Sequence, residues 1–182
     1  MAIPFMQKKK QSIYWRDIVI VVVILIIGFV LGLFVNVGSP EIVTTTGSDS
    51  IQALSTEGFE LVAVDALPMQ ILLSSGCREL TMVTTESQTY SIATGAEGLR
   101  PFRPLTHDLI ADVLDIYDMK VLLVKIESLE EGTYFAKLFV AQGNKILSLD
   151  SKPSDAIAIA VRTDAPVYLN QTLLEQEGEY LC

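Results

Sequence analysis

The spacing of hydrophobic residues divides this chain into three parts. Residues 18–35 form a continuous apolar run without a charge. As a helix rising about 1.5 Å per residue, this run crosses about 27 Å of hydrocarbon, which predicts a transmembrane span over residues 18–37. Residues 38–55 are rich in Gly, Ser and Thr, which predicts a flexible linker. Residues 56–182 show the alternating and helical periodicities of a folded domain.

Alternating apolar and polar residues predict several strands in this domain. Hairpins are expected where two such runs flank a turn, at Gly76-Cys77-Arg78 and at Gly143-Asn144, and a helix follows each hairpin. The repeated order of hairpin and helix indicates an internal duplication, with independent use of a common unit as the alternative. The order of elements predicts an α+β fold, a mixed or antiparallel sheet with helices packed on it, preceded by one transmembrane helix.

The two clearest helices of the domain have different patterns. Residues 156–161 are small or branched and apolar on every side, so a helix there must be buried between a sheet and another element. The helix after Thr106 is amphipathic, with Asp108, Asp112 and Asp115 opposite its apolar stripe. Asp112 and Asp115 are expected to face solvent, whereas Asp108 lies beside His107 near the helix start, where a carboxylate is electrostatically favoured. Its predicted buried stripe consists of Leu109, Ile110, Val113, Leu114 and Tyr117.

Polar residues gather at the turn that precedes the buried helix. Asp150 ends a predicted strand, Pro153 fits the first helical turn, and Ser154 and Asp155 can accept hydrogen bonds from the free N–H groups there. A polar turn anchored on a buried helix is the best candidate for a functional site. The same residues are also explained by ordering of the turn alone, and this structural interpretation stays open.

Three sequence blocks occur in a characteristic order: RPLTHDL at 103–109, GTYFAKL at 132–138 and LDSKPSDAIAIAVRTDAPVYL at 149–169. Together they resemble the bifunctional nuclease (BFN) domain family over roughly residues 59–178. The resemblance implies nuclease activity on RNA and DNA. One departure is Lys152, because the family usually has arginine before Pro-Ser-Asp. Lysine keeps the charge but loses the paired hydrogen bonds of a guanidinium group.

Hydrolysis of a phosphodiester needs a nucleophilic water, neutralised phosphate charge and help for the leaving oxygen, and carboxylates holding Mg²⁺ or Mn²⁺ can supply all three. With one histidine in the chain, Ser-His triads and zinc sites are poorly supported. The candidate catalytic residues are His107, Asp108, Asp150 and Asp155; the candidate substrate contacts are Arg103, Lys152, Ser154 and Arg162; the candidate metal ligands are Asp150, Asp155, Asp108 and Glu86.

Charge argues against one kind of binding. The net charge is −9, with 22 acidic against 13 basic residues, and this sign opposes loose electrostatic binding of nucleic acid. With the activity that the BFN resemblance implies, the main hypothesis is a membrane-anchored, metal-assisted nuclease that acts on RNA or DNA. The alternative is a non-catalytic ligand-binding or protein-interaction domain that uses the same pocket.

The residues that flank the apolar run predict its orientation. Positive flanks are retained in the cytoplasm, so the N-terminal residues 1–17 are expected inside and the domain on the outer face of the cell membrane. Gly28 and Gly32 form a G-x-x-x-G pair that can bring two spans together in a homodimer. The basic residues before the run are Lys8, Lys9, Lys10 and Arg16.

The two cysteines lie far apart in the sequence. Cys77 is in a predicted hairpin turn and Cys182 is the last residue. Neither has the spacing of a metal ligand. An oxidising outer face allows them to pair, but two unpaired thiols are favoured because a chain terminus is usually frayed.

Overall fold

The computed structural model describes residues 15–34, 43–45 and 53–182, with side chains for residues 18–27 and from 53 onward. The helices are α1 (Trp15–Phe34), α2 (Glu86–Ala96), α3 (Thr106–Ile116), α4 (Pro153–Ala160) and α5 (Gln171–Glu177). The strands are β1 (Val43–Thr45), β2 (Phe59–Leu61), β3 (Ala63–Leu67), β4 (Gln70–Ser75), β5 (Arg78–Val83), β6 (Met119–Glu130), β7 (Thr133–Gln142), β8 (Lys145–Ser151), β9 (Val167–Asn170) and β10 (Glu179–Tyr180).

In the described part of the chain, the strands form two sheets. The larger has the order β1-β8-β7-β6-β9-β2, and the smaller has the order β10-β5-β4-β3. Every pair is antiparallel except β6 with β9, which run parallel through the crossover that contains α4. The α+β class and the mixed sheet are confirmed, as are both predicted hairpins with their following helices.

Turn residues fix the two hairpins that precede α4. Glu131 and Gly132 both have positive φ, at 49° and 79°, which matches the tight turn that joins twisted antiparallel strands. Gly143 has a φ of 59° between β7 and β8. These turns set the register in which Lys137 lies opposite Asp150. The polar turn therefore lies between the end of β8 and the start of α4.

Helix α4 lies in the core, as its sequence predicts. Ala156, Ile157, Ala158 and Ala160 are fully buried. The helix packs against α2 and α3 on one side and against β6 and β7 on the other. The small side chains let these elements approach closely.

Helix α3 is rotated from the orientation that its hydrophobic pattern predicts. Leu109, Val113 and Tyr117 were expected in the core, but they are 60%, 40% and 63% exposed. The face that is buried begins with His107 and Asp108. Their polar contacts with α2 and with the chain after α4 determine the rotation, because a buried charge that lost its partner would be far more costly than an exposed leucine.

Lys125 is a second residue whose burial differs from what the hydrophobic pattern of its element predicts. Its place in an alternating strand predicts exposure, yet it is only 5% exposed. Its Nζ donates to the carbonyl of Ala53 at 2.8 Å and lies 5.0 Å from the ring centre of Phe59. Burial lowers the pKa of this ammonium group. Lys125 thus holds the first described residues of the domain against the larger sheet.

The two cysteines form a disulfide, so the prediction of unpaired thiols is wrong. Cys77 and Cys182 are bonded, with their Cα atoms 5.3 Å apart. The C-terminus is not frayed, because β10 pairs with β5 and the amide of Leu181 donates to the carbonyl of Cys77 at 2.8 Å.

Helix α1 belongs to a unit separate from the domain, and its described side chains, residues 18–27, are exposed. Among the residues whose side chains the structure describes, no helix is long and apolar enough to cross a membrane. The structure therefore does not support the predicted span over 18–37, part of which lies outside the described residues. The predicted linker, 38–55, also lies largely outside them, although β1 within it pairs with β8. The pairing of two spans through Gly28 and Gly32 stays a prediction.

Candidate active site

His107 is held between two side chains that come from different helices. Its Nδ1 lies 2.9 Å from Oγ of Ser91 on α2, and its Nε2 lies 3.4 Å from Oδ1 of Asp155 on α4. The imidazole is largely buried, with 10% of the side chain exposed, whereas the Asp155 side chain is 33% exposed. The contacts form a line from the protein interior to the surface, with the carboxylate at the outer end.

Asp155 does not cap its own helix. In the described part of the chain, its carboxylate contacts His107 and, at 3.7 Å, Nζ of Lys152. The N-cap residue of α4 is Lys152, and no side-chain hydrogen bond caps the helix there. Ordering of the turn alone therefore does not explain this carboxylate. It lies in the first turn of α4, which begins at Pro153.

A buried ion pair lies next to His107. Arg162 Nε donates to Oδ1 of Asp108 at 2.6 Å, and the two side chains are 6% and 7% exposed. The other carboxylate oxygen of Asp108 accepts from the amide of Leu105 at 2.7 Å, which closes the start of α3. The helix begins at Thr106, with Leu105 at the N-cap position.

The pKa of Asp108 reflects this pairing. Burial alone would raise the pKa of the carboxyl group, because it disfavours the charged form. The hydrogen bonds from Arg162 and the Leu105 amide, together with the positive charges of Arg162 and Arg100, outweigh burial and hold the pKa below its ordinary value. Asp108 is thus an ionised structural partner next to His107.

Arg162 also connects the three helices around the site. Its Nη1 donates to the carbonyl of Ser91 at 2.9 Å and to that of Ala158 at 2.8 Å. Gly95 makes room for this guanidinium, since a Cβ at position 95 would lie 2.6 Å from Nη1. Helix α2 continues past Gly95 to Ala96, so this glycine lies inside the helix. The glycine is needed for close packing.

A cavity of about 450 Å³ opens beside His107 and Asp155. Its polar lining is Gln88, Thr106, His107, Asp150, Ser151 and Asp155, and its apolar lining is Ile110, Leu114, Leu138, Val140, Leu149 and Ile159. Oε1 of Gln88 is buried and has no hydrogen-bond partner among the described residues. A cavity with an apolar floor, a few polar groups and an uncommitted acceptor has the character of a ligand site.

A larger cavity of about 760 Å³ lies on the other side of α3 and contains neither His107 nor Asp155. Its acidic lining includes Asp112 and Asp115, which the sequence assigns to a solvated helix face. Asp112 pairs with Arg100 of the preceding loop. We assign the candidate active site to the smaller cavity because the histidine and the partly exposed carboxylate meet there.

The structure brings together some of the predicted site residues and separates others. His107, Asp150 and Asp155 line the smaller cavity, and Lys152 is exposed beside Asp155. The geometry favours structural roles for Asp108 and Arg162, because each is buried against the other. The remaining candidates do not join this cluster: Ser154 is buried in α4, Arg103 is exposed in the loop before α3, and Glu86 is exposed at the start of α2.

The predicted metal ligands do not form a site in the described part of the chain. No group of three or more His, Cys, Asp or Glu side chains there is arranged to hold an ion. Asp108 is turned toward Arg162, away from the set that contains Asp150 and Asp155. The described residues thus show no preformed donor set, and the need for Mg²⁺ or Mn²⁺ stays a prediction.

Sequence reasoning missed Ser91, Gln88 and Gly95, all on α2. Ser91 and Gln88 are three residues apart and so share one face of the helix. No motif marks them, and serine and glutamine are ordinary residues in a helix. Their roles depend on α3 and α4 packing against this face.

The comparison with protein families gives a clear result. The model of the bifunctional nuclease domain matches residues 71–181, which is more than half of the chain and includes the cavity, His107 and Asp155. The chain belongs to the bifunctional nuclease domain family. The three sequence blocks that suggested this resemblance all lie inside the matched region.

Relatives of this BFN domain occur in bacteria and plants. An uncharacterized protein of Mycobacterium tuberculosis is 36% identical over 105 residues, covering 58% of this chain and 62% of the relative. Bifunctional nuclease 2 of Arabidopsis thaliana is 29% identical over 102 residues, and Bifunctional nuclease 1 of Oryza sativa subsp. indica is 28% identical over 102 residues. Each match covers 54% of this chain and 31% of the plant protein. The chain therefore spans less than two thirds of the length of each of these relatives.

Proposed function

We propose that this BFN domain hydrolyses phosphodiester bonds of RNA or DNA in the cavity beside His107 and Asp155. The observation that carries the proposal is the Asp155 carboxylate, which is partly exposed and contacts the buried His107 at the cavity wall. Membership of a family with relatives named bifunctional nucleases supports the substrate class.

The residues suggest a simple division of roles. Asp155 accepts a proton from a water molecule, and the water oxygen attacks phosphorus as the bond to the leaving oxygen breaks. Lys152, 3.7 Å from Asp155, offers a positive charge to the phosphate. The leaving oxygen takes a proton from solvent. Lysine can attract the phosphate as a point charge, although it lacks the fork of the arginine that is usual in the family.

The direct test is cleavage of labelled single-stranded RNA and DNA by the full-length chain. Asp155→Asn is expected to lower the rate about a hundredfold or more, because an amide cannot accept the proton. Asp115→Asn is the matched control, since Asp115 is an exposed carboxylate on α3 that does not line this cavity. Cleavage at the wild-type rate by Asp155→Asn would overturn the proposal.

Two further experiments test the metal requirement and the non-catalytic alternative. Addition of EDTA, Mg²⁺ or Mn²⁺ tests the predicted metal requirement, for which the described residues provide no donor set. Binding of an oligonucleotide or small ligand without cleavage would favour the non-catalytic alternative. The unpartnered Oε1 of Gln88 gives that alternative a specific contact, because it can accept a hydrogen bond from a ligand.

We also propose that the domain is anchored to the cell membrane and faces outward, on the evidence of the sequence. The uncharged run 18–35 follows a basic N-terminus, which favours a cytoplasmic start. The Cys77–Cys182 disulfide supports the outer face, because disulfides persist in oxidising compartments. Protease treatment of intact cells should remove a C-terminal tag. A tag protected until the membrane is permeabilised, or found in the soluble fraction, would contradict this location.

A further inference from the structure

We infer that Ser91 and Asp155 together fix the tautomer of His107: Nε2 carries the hydrogen and donates it to Asp155, while Nδ1 accepts a hydrogen bond from the Ser91 hydroxyl. This inference rests on the proposed function for its effect on rate but not for its structural content. Ser91 is 3% exposed and His107 is 7% exposed, so water does not compete freely for their contact. Their 2.9 Å separation is that of a full hydrogen bond.

The Ser91 contact alone is compatible with both tautomers. A hydroxyl can donate or accept, and either ring nitrogen of a neutral imidazole can carry the hydrogen. Asp155 favours one of them from the other side of the ring, where Nε2 faces Oδ1 of Asp155 at 3.4 Å. An ionised carboxylate only accepts hydrogen bonds. A hydrogen on Nε2 makes this contact attractive, whereas a lone pair there would face a negatively charged oxygen.

The serine then has a defined role. With the hydrogen on Nε2, Nδ1 carries a lone pair and Ser91 Oγ must be the donor. Among the described residues, Ser91 Oγ forms a hydrogen bond with His107 and with no other group. In the reverse tautomer its hydroxyl hydrogen would therefore be buried without a partner, which is unfavourable. Hydrogen bonds run in one direction, from Ser91 to His107 to Asp155.

The three residue types are those of a Ser-His-Asp triad, but the positions of the serine and the carboxylate relative to the cavity are exchanged. In the triad the serine is accessible and attacks the substrate, and the carboxylate orients the histidine from behind. Here the serine is buried and the carboxylate borders the cavity. Ser91 is a positioning residue, and a covalent serine intermediate has no accessible nucleophile at this position.

Ser91 is itself held in place, and the charges near His107 are arranged around it. The Ser91 carbonyl accepts from Arg162, which pairs with Asp108 beside His107. From the cavity side, His107 faces Asp155 and shares the lining with Asp150. Lys152 neutralises part of this negative charge through its contact with Asp155. The direction of the hydrogen bonds follows from contacts on α2, α3 and α4 together.

Nitrogen-15 NMR of the full-length chain tests this directly, because His107 is the one histidine in the sequence and its signals need no assignment by mutation. Spectra are recorded at a pH well above the ordinary histidine pKa of about 6.5. We expect the shift pattern of the Nε2-protonated tautomer. A pattern with the hydrogen on Nδ1 would overturn the inference in the wild-type protein, whatever the variants do.

Ser91→Ala should convert this pattern to a mixture of tautomers, lower cleavage about tenfold and displace the pH–rate profile. Thr94→Ala is the matched control, because Thr94 is a buried hydroxyl on the same helix that donates only to the carbonyls of Tyr90 and Ser91 in the described structure. A Ser91→Ala spectrum identical to wild type would also refute the role of Ser91. If the Nε2-protonated tautomer is present but Asp155→Asn cleaves normally, the inference about Ser91 stands and the proposed function fails.

Discussion

Arg162 lies against the Cα of Gly95 and forms an ion pair with Asp108, with Nε 2.6 Å from Oδ1. This relationship joins the chain after α4 to α2 and α3, the helices that supply Ser91 and His107. The ion pair is not itself at the cavity of the candidate site. It fixes how the helices pack, and the site depends on that packing.

Removal of one partner from this pair should destabilise the domain strongly. Asp108→Asn leaves the buried Arg162 without its counter-charge, and breaking a buried pair in this way costs about 3–5 kcal/mol. Urea unfolding followed by circular dichroism measures the loss. Asp115→Asn, an exposed carboxylate on the same helix, should change the free energy of unfolding by less than about 0.5 kcal/mol. Equal stabilities for the two variants would show that the pair contributes little.

The same pair predicts how stability depends on pH. The pKa of Asp108 is lower in the folded protein than its ordinary value of 3.8, so the unfolded chain binds the proton first as pH falls. The contribution of this carboxylate is therefore complete above about pH 4 to 5 and is lost as pH falls through the folded pKa. Urea midpoints measured from neutral to acidic pH should fall less for Asp108→Asn than for wild type. Parallel curves would assign acid sensitivity to other groups.

Substitution of Gly95 by alanine should destabilise the domain although alanine favours helices. Alanine would gain up to about 1 kcal/mol in helix propensity. Its Cβ, however, would lie 2.6 Å from Arg162 Nη1 and 2.8 Å from Val161 Cγ2, and such overpacking typically costs about 1–3 kcal/mol. Thermal melting should show a lower midpoint. In a double-mutant cycle, Val161→Ala should relieve part of the effect, and strict additivity would argue against this contact.

The exposed face of α3 should accept polar substitutions at positions that its hydrophobic pattern assigns to the core. Leu109 is 60% exposed, so Leu109→Lys should change stability by less than about 0.5 kcal/mol. Leu114 is 8% exposed on the opposite face, and Leu114→Ala should cost about 2–5 kcal/mol. Chemical denaturation of the two variants measures the difference. The reverse order would restore the orientation that the hydrophobic pattern predicts.

The candidate site and the core should respond differently to substitutions only two residues apart. Asp155→Asn should impair cleavage while leaving the fold largely intact, because its side chain is 33% exposed and makes no helix cap. Ile157→Asp places a charge at a position with 0% exposure and should unfold the domain. Activity and circular dichroism are measured on both proteins. Unfolding of Asp155→Asn to the same extent would make Asp155 a structural residue.

Much of the fold follows from local sequence. Alternating residues and turn signals identify the β4–β5 and β7–β8 hairpins, and the apolar residues of α4 place it in the core. These features depend on the chemistry of neighbouring residues along the chain, which any strand or helix must satisfy. The local pattern also identifies His107 and Asp155 as candidates, since both lie near predicted helix starts. It does not show that they meet.

The sequence by itself determined the α+β class, the resemblance to BFN domains, and the polar turn before a buried helix. These features depend only on the spacing of residues and on short contiguous motifs. Tertiary structure alone decided the rotation of α3, the burial of Lys125, the disulfide, and the roles of Ser91 and Gly95. Each of these depends on a partner distant in sequence: Ser91 with His107, Asp108 with Arg162, and Cys77 with Cys182. A buried polar group is stable only beside such a partner, so its contacts override the hydrophobic pattern of the helix that carries it.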